Sequence, residues 1–242
     1  MYDYVAECTA AGLPTHLTSN GSTLSPRNVD RLLDAGLKSL AVSMESLDPD
    51  RFTRFRPGGN LARVLEGLRR AVAARDERGA PLIISIWTTV LRETLGEVER
   101  FHALAAELGV DLQFFQVLNP MPSYTRFYDE SLRANMLGVD EIRALIADPA
   151  TPERTRAALA DALWPYRQTS CSIFMHTLMI NWRGELTPCC LLKAPDFLPF
   201  GDIVTEGLAQ VWAEPRFARF RFALAHGIVP ASCEGCPDVA AA

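Results

Sequence analysis

The sequence predicts an α/β fold in which a parallel sheet is covered by helices, followed by a small C-terminal hairpin-plus-helix module built on cysteines. Three observations carry this expectation. Short apolar runs alternate with amphipathic helical patterns as far as residue 118; runs such as "PLIISIWTTVL" are too continuously apolar to leave a wet face; and five of the six cysteines lie in the last third of the chain.

The elements follow in order. Residues 2 to 11 read as a helix that breaks at Gly12 and Pro14, and "THLTSNG" reads as a strand running into a turn at Gly21. In "SPRNVDRLLDAG", Ser25 is the N-cap, Pro26 takes the first helical position and Gly36 stops the helix. "SLAVSMES", residues 39 to 46, is the next strand. "NLARVLEGLRRAVAARDERG" repeats apolar residues at helical spacing from Leu61 to Val72, with arginines and acids on a solvated face. The buried-strand run at 81 to 91, the helix "TLGEVERFHALAAELG" and the strand "DLQFFQVL" complete a β, α, β, α, β, α, β series, which suits a barrel or an open sheet.

The alternation stops after Leu118. "NPMPSY" reads as a turn, and residues 139 to 164 as two helices, the second opened by Thr151 and Pro152 and ended at Pro165. Two short strands, 173 to 181 and 185 to 188, are joined by "WRG". A loop rich in Pro and Leu follows, then a helix from about Thr205 to His226 interrupted at Pro215. The expected organisation is an α/β part over 1–120, a helical connector over 121–169 and a cysteine module over 170–242.

Composition narrows the function classes. With 242 residues, 48% hydrophobic and 22% charged, the chain suits a soluble globular protein of one large domain, or one domain and an appendage. A net charge of -5 argues against a general nucleic-acid binder. No apolar run is long enough to span a bilayer, and "MYDYVAECTAAGLP" lacks the basic start and apolar centre of a signal peptide, so a cytoplasmic location is expected. Disulfides are disfavoured there, which leaves packing, catalysis or metal ligation for the cysteines.

Cys171 stands before the first hairpin strand and Cys189 after the second, so a tight turn can bring them together. "CEGC" places Cys233 and Cys236 as a second claw. Two claws make four thiolates, the set for a tetrahedral zinc or a four-iron cluster, and Pro237 resembles the Cys-Pro ending of cluster motifs. The width of the first claw favours a cluster over a zinc ribbon. Cys190 competes with Cys189 for the second position, while the lone Cys8 reads as packing.

These residues together resemble a known family. "LTSNGSTLSPRNVDRLLDAGLKSLAVSMESLDPDRFTRFRPGGNLARVLEGLRRAV" is similar to the middle of the radical S-adenosylmethionine barrel, with its T-N-G turn, its "gld-vSidg" strand and an Arg beside a Gly pair. "CSIFMHTLMINWRGELTPCC" through "FGDIVTEGLAQVWAEPRFARFRFALAHGIVPASCEGCP" resembles the auxiliary-cluster module called SPASM or, when shortened, twitch. The register of Gly184, four residues and Cys189 selects Cys189 over Cys190. The resemblance implies a [4Fe-4S] auxiliary cluster on Cys171, Cys189, Cys233 and Cys236. It also implies that Ser43 and Arg56 meet the carboxylate of S-adenosylmethionine, with Asn20 and Leu118 as further contacts.

The family's CxxxCxxC, which holds the cluster that cleaves S-adenosylmethionine, and its Gly-Gly-Glu-Pro segment do not occur here. The expectation is therefore an incomplete (β/α) radical SAM-type barrel whose N-terminal strand, helix and strand are missing. The edge of "THLTSNG" would then be open to a partner, such as an N-terminal complement that supplies CxxxCxxC and completes the S-adenosylmethionine site. The implied function is the C-terminal portion of an enzyme modifying a peptide or a small metabolite, inactive alone in cleaving S-adenosylmethionine. The alternative is a non-catalytic four-cysteine iron–sulfur or zinc scaffold. Arg216, Arg219 and Arg221 read as the wet face of the last helix, and the four histidines receive no role.

Overall fold

Four parallel strands lie side by side in chain order: β1 (His16–Ser19), β2 (Ser39–Ser43), β3 (Ile83–Val90) and β4 (Leu112–Val117). The computed structural model describes residues 1–118, 125–126, 128–163, 171, 177–190, 192, 199–233 and 236. The chain divides into two compact units, the first formed by Met1–Leu118 with Asn135–Leu163, the second by Asn119–Ala134 with Trp164–Ala242.

In the first unit the helices between strands are α1 (Tyr2–Ala10), α2 (Pro26–Asp34), α3 (Pro49–Phe55), α4 (Leu61–Arg78) and α5 (Val98–Leu108). Their ends follow the sequence signals. The Ser25 side chain accepts the Asn28 amide with Pro26 inside the first turn, Asn60 accepts the Arg63 amide to start α4, and Gly79 ends α4 in the left-handed conformation. Helix α3 is not evident from apolar periodicity, because at seven residues it offers one buried side chain, Phe52; its cap is clear, with Asp48 accepting the Arg51 amide. The stretch before α5 is a 3₁₀ turn, Arg92–Glu97, rather than the start of the α-helix. Helices Val139–Ala147 and Glu153–Ala162 pack in this unit, the second against β4 and α5.

The sheet corrects one expectation. Leu40, Val42, Ile84, Ile86, Thr88, Val90 and Phe115 are buried, whereas Ile83, Trp87, Leu112 and Phe114 are exposed on the opposite face. The strand register aligns this second face: Ser43 pairs with Trp87, and Trp87 with Phe114. The run "IISIWTTV" is apolar at nearly every position, which hides an alternation in burial that the two-residue period of a strand makes visible. One face is buried, while the other combines the exposed Ile83, Trp87, Leu112 and Phe114 with the buried Ala41 and Ser85.

In the second unit β5 (Met179–Ile180) and β6 (Leu186–Thr187) form a short antiparallel hairpin. Gly184 turns it at φ +84, and the Asn181 side-chain oxygen accepts the amides of Arg183 and Glu185. The hairpin is shorter than the expected 173–181 and 185–188, and residues 172–176 lie outside the described residues, as do the expected turn at 119–124 and Pro165. The chain returns along β6 at Phe200–Ile203, where Leu186 exchanges backbone hydrogen bonds with Phe200 and Gly201. The long expected helix is divided at Pro215, into Leu208–Trp212 and Pro215–Ala225. Among the described residues no helix is long and apolar enough to cross a membrane.

Gly21 shows how tightly the β1 end is built. Its φ is +74, and a Cβ there would meet Val64 at 2.7 Å and Val42 at 3.1 Å; Gly12 has nearly the same φ, +73, with nothing within 4 Å. Gly21→Ala should cost about 2 to 3 kcal/mol, several degrees in Tm, and Gly12→Ala clearly less. Thermal melts by circular dichroism compare them; equal losses would show that backbone strain alone, and not close packing, fixes this turn.

Candidate functional site

A parallel sheet offers its ligand-binding positions at the carboxyl ends of its strands, and the expected cofactor contacts of the first unit fall there. Asn20 follows β1, Ser43 ends β2 and Leu118 follows β4. Asn20 is exposed, and its side-chain oxygen accepts the amide and hydroxyl of Ser22, at 3.0 and 2.7 Å, so it shapes the Gly21 turn. Ser43 and Leu118 are half-buried. Trp87, the register partner of Ser43, stacks at 5.2 Å on Phe114 and donates its indole N–H to the Ser85 hydroxyl.

Arg56 ends α3 and is not unpartnered. Its Nε donates to Glu45 Oε2 and its Nη2 to Glu45 Oε1, each at 2.5 Å. The Arg56 amide donates to Phe52 O at 2.9 Å and Gly59 N donates to Arg56 O at 2.7 Å, so the backbone around it is also held. Sequence reasoning missed Glu45. The only signal was an acid two residues after Ser43 on the same strand end.

Sequence reasoning also missed Glu97. This side chain is 6% exposed and accepts from the Ser46 hydroxyl at 2.8 Å, from the Leu47 amide at 2.5 Å and from Arg51 Nη1. Ser46, wholly buried, in turn accepts the Asp48 amide at 3.0 Å. A carboxylate on the segment after β3 thus fixes the loop after β2, the loop that carries Glu45. Asp48 is held below the usual carboxylate range, first by the Arg51 amide it caps.

In the second unit the cysteines share one apolar cluster. Cys233 and Cys236 are buried in it with Leu186, Leu192, Phe200, Val211, Phe217, Phe220 and Leu224, and Cys171 and Cys189 pack against it. The local turns place them: Leu192 N donates to Cys189 O at 3.1 Å, and Cys236 N donates to Cys233 O at 3.0 Å. Cys190 is half-buried beside Cys189 but is not part of this cluster, and Cys8 lies on α1 in the other unit.

Burial pushes the Cys233 thiol up to about 11, and Cys189 and Cys171 push it the same way while the Ser232 hydroxyl opposes them. In this apolar shell the Cys233 thiol keeps its proton, and a cationic centre would take that proton's place. Four cysteines in one apolar cluster supply the donor types of an iron–sulfur cluster. Among the described residues no trio of His, Cys, Asp or Glu is gathered as a ready-made single-ion site.

The arginines of the last helix divide. Arg216 and Arg219 are exposed as expected, and Arg216 pairs with Glu214 at 3.1 Å. Arg221 instead lies over Trp212 and Phe217, 4.1 and 4.2 Å from the ring centres, with both Nη atoms donating to Trp212 O. It is a packing group over the aromatic wall of the cysteine cluster, and burial lowers its pKa.

Comparison with known proteins bears on both units. Residues 1–105 match the radical SAM superfamily, and residues 171–237 match SPASM, an iron–sulfur cluster-binding domain. A PqqA peptide cyclase of Xanthomonas campestris is 27% identical over 250 residues, covering 97% of this chain and 62% of that protein. A GTP 3',8-cyclase of Rhizobium meliloti is 48% identical over 128 residues, 52% of this chain and 33% of that protein. Streptococcus suis SuiB bound to precursor peptide SuiA superposes with a TM-score of 0.66 over 98% of this chain and 56% of SuiB, at 14% identity. The chain thus spans less than two thirds of the peptide cyclase's length.

Glu97→Gln should destabilise the first unit by about 2 to 4 kcal/mol, because a buried charge-assisted network loses its acceptor, and should speed hydrogen exchange at the Leu47 amide. Unchanged melting and unchanged Leu47 protection would remove Glu97 from this role.

Proposed function

Because this chain belongs to the radical SAM superfamily and ends in a SPASM iron–sulfur domain, we propose that it binds an auxiliary [4Fe-4S] cluster and serves the modification of a peptide. One observation carries the reading. Cys171, Cys189, Cys233 and Cys236 converge on a single apolar cluster within the segment matching SPASM.

Those four thiolates would hold the cluster. The surrounding Phe200, Phe217, Phe220 and Leu224 would keep water from it, and such shells tune reduction potential. In the first unit, Ser43 and Arg56 would hold the carboxylate of S-adenosylmethionine, a hydroxyl and a guanidinium being suited to that group. Leu118 would lie toward its adenine, and Asn20 would shape the neighbouring turn. The open sheet face beside Ser43, with Trp87 and Phe114, would receive the substrate. When bound with a reducing cluster, S-adenosylmethionine supplies a 5′-deoxyadenosyl radical for hydrogen abstraction.

Two features favour a peptide over a small metabolite. The likeness to the peptide cyclase covers nearly the whole chain, whereas that to the GTP cyclase covers about half; and SuiB, with its precursor peptide, superposes over both units' length. The three cysteines of a CxxxCxxC are not among these 242 residues. We propose that they come from outside them, on a complementary segment that meets the sheet at the β1 edge.

Anaerobic reconstitution should give a brown protein with about four irons and four sulfides per chain. Serine at 171, 189, 233 or 236 should abolish or strongly reduce that loading, and Cys190→Ser should leave it intact. A colourless protein with one zinc per chain would replace this reading by the scaffold alternative. The reconstituted 242 residues alone should release no 5′-deoxyadenosine from S-adenosylmethionine; its appearance would overturn the need for a complement.

A further inference from the structure

The Glu45–Arg56 pair at the end of β2 makes a demand that the carboxylate-binding role of Arg56 does not by itself explain. A guanidinium has five N–H donors, arranged as a side edge, Nε with one Nη, and an end edge formed by the two Nη groups. Glu45 occupies the side edge, through Nε and Nη2 at 2.5 Å each. The end edge, Nη1 with the outer hydrogen of Nη2, is not committed to Glu45. Both partners are half-buried, with side-chain exposures of 24% for Arg56 and 16% for Glu45.

The backbone around each partner is fixed independently. Arg56 lies between the Phe52 and Gly59 hydrogen bonds, and a Cβ at Gly59 would meet Arg56 O at 2.8 Å. Glu45 precedes Ser46, whose hydroxyl is tied to the buried Glu97, and follows Met44, whose amide donates to Trp87 O at 2.9 Å. An arginine side chain free to sample its rotamers would lose much of its binding energy to ordering. Here that ordering is already present.

We infer that Glu45 is a positioning residue that holds Arg56 by one edge so that the other edge receives a ligand carboxylate. Charge supports the same arrangement. S-adenosylmethionine carries a carboxylate, an ammonium and a sulfonium, net positive; an unbalanced Arg56 would repel it as a whole, and Glu45 neutralises that guanidinium locally while leaving its donors in place. The inference rests on the assignment of Arg56 to the ligand carboxylate, and the test separates the two.

The probes are S-adenosylhomocysteine, which has the carboxylate, and 5′-methylthioadenosine, which has the adenosine and thioether without it. Binding of both to the 242-residue chain is measured by calorimetry for the parent, Glu45→Gln, Glu45→Asp and Arg56→Gln, with melting temperatures alongside. Glu45→Gln should weaken S-adenosylhomocysteine roughly tenfold, the usual size of effect for a partner behind a binding group. It should change methylthioadenosine less than about twofold, and Glu45→Asp should recover part of the loss. If Arg56→Gln erases the preference for the carboxylate ligand and Glu45→Gln does not, the positioning role is wrong and the Arg56 assignment stands. If Arg56→Gln leaves the preference unchanged, the Arg56 assignment falls and this inference with it. Equal weakening of both probes by Glu45→Gln would mean a structural role and would also overturn it.

Discussion

The first unit depends on a buried carboxylate. Glu97 sits after β3, yet its three donors, the Ser46 hydroxyl, the Leu47 amide and Arg51, all belong to the segment after β2. Parallel strands leave their carboxyl ends as separate loops, each free to move unless something crosses between them. Glu97 is that crossing. Its charge is tolerated because its lone pairs are met by donors, the condition under which a buried ion stabilises rather than costs. The loop it fixes carries Glu45 and leads through the Asp48 cap into the helix that ends at Arg56, so the order at the strand ends is inherited from this contact.

The second unit has a different basis. Among its described residues regular structure is slight: two-residue strands, short helices and one longer helix, Pro215–Ala225. What holds it together is the apolar cluster of leucines, phenylalanines and cysteines, with Phe200 stacked between Phe217 at 4.7 Å and Phe220 at 5.6 Å. A small unit with so little hydrogen-bonded framework gains most from a centre that crosslinks distant segments. Cys171, Cys189 and the Cys233–Cys236 turn come from three separate stretches of chain, so one inorganic centre would close two long loops at once.

Much of this was legible in the sequence, and the reasons differ by element. Helices α2 and α4 were readable because caps and apolar spacing agree: Ser25 with Pro26, and Asn60 with the Leu61 to Val72 stripe. Spacing across a hairpin suggested the cysteine claws, and the four cysteines share one apolar cluster. The alternation in burial was hidden, since Ile83 and Trp87 are as apolar as Ile84 and Ile86, and only the register tells which pair faces the helices. Glu97 and Glu45 were hidden for another reason. Each acts across a sequence separation, 51 residues to Ser46 and 11 to Arg56, that no local pattern encodes. Arg221 was misread as solvated because helical position says nothing of the Trp212 and Phe217 rings beneath it.

The two acid–arginine pairs at the strand ends look alike and differ in what they can do. Arg51 gives Nη1 to Glu97 and lies within ion-pair reach of Glu93 at 3.5 Å, so its charge is shared between two carboxylates inside the protein. Among the described residues Arg56 meets one carboxylate, along one edge, in a half-buried position. Two internal carboxylates, one of them the buried Glu97, make the first pair a fastening between segments. The second pair holds one internal carboxylate, and in the proposed role its remaining donors would gain more from a ligand carboxylate in a partly dried cleft than they would in water. The difference lies in the number of internal carboxylates that each guanidinium meets, and it favours Arg56 over Arg51 for the proposed ligand contact.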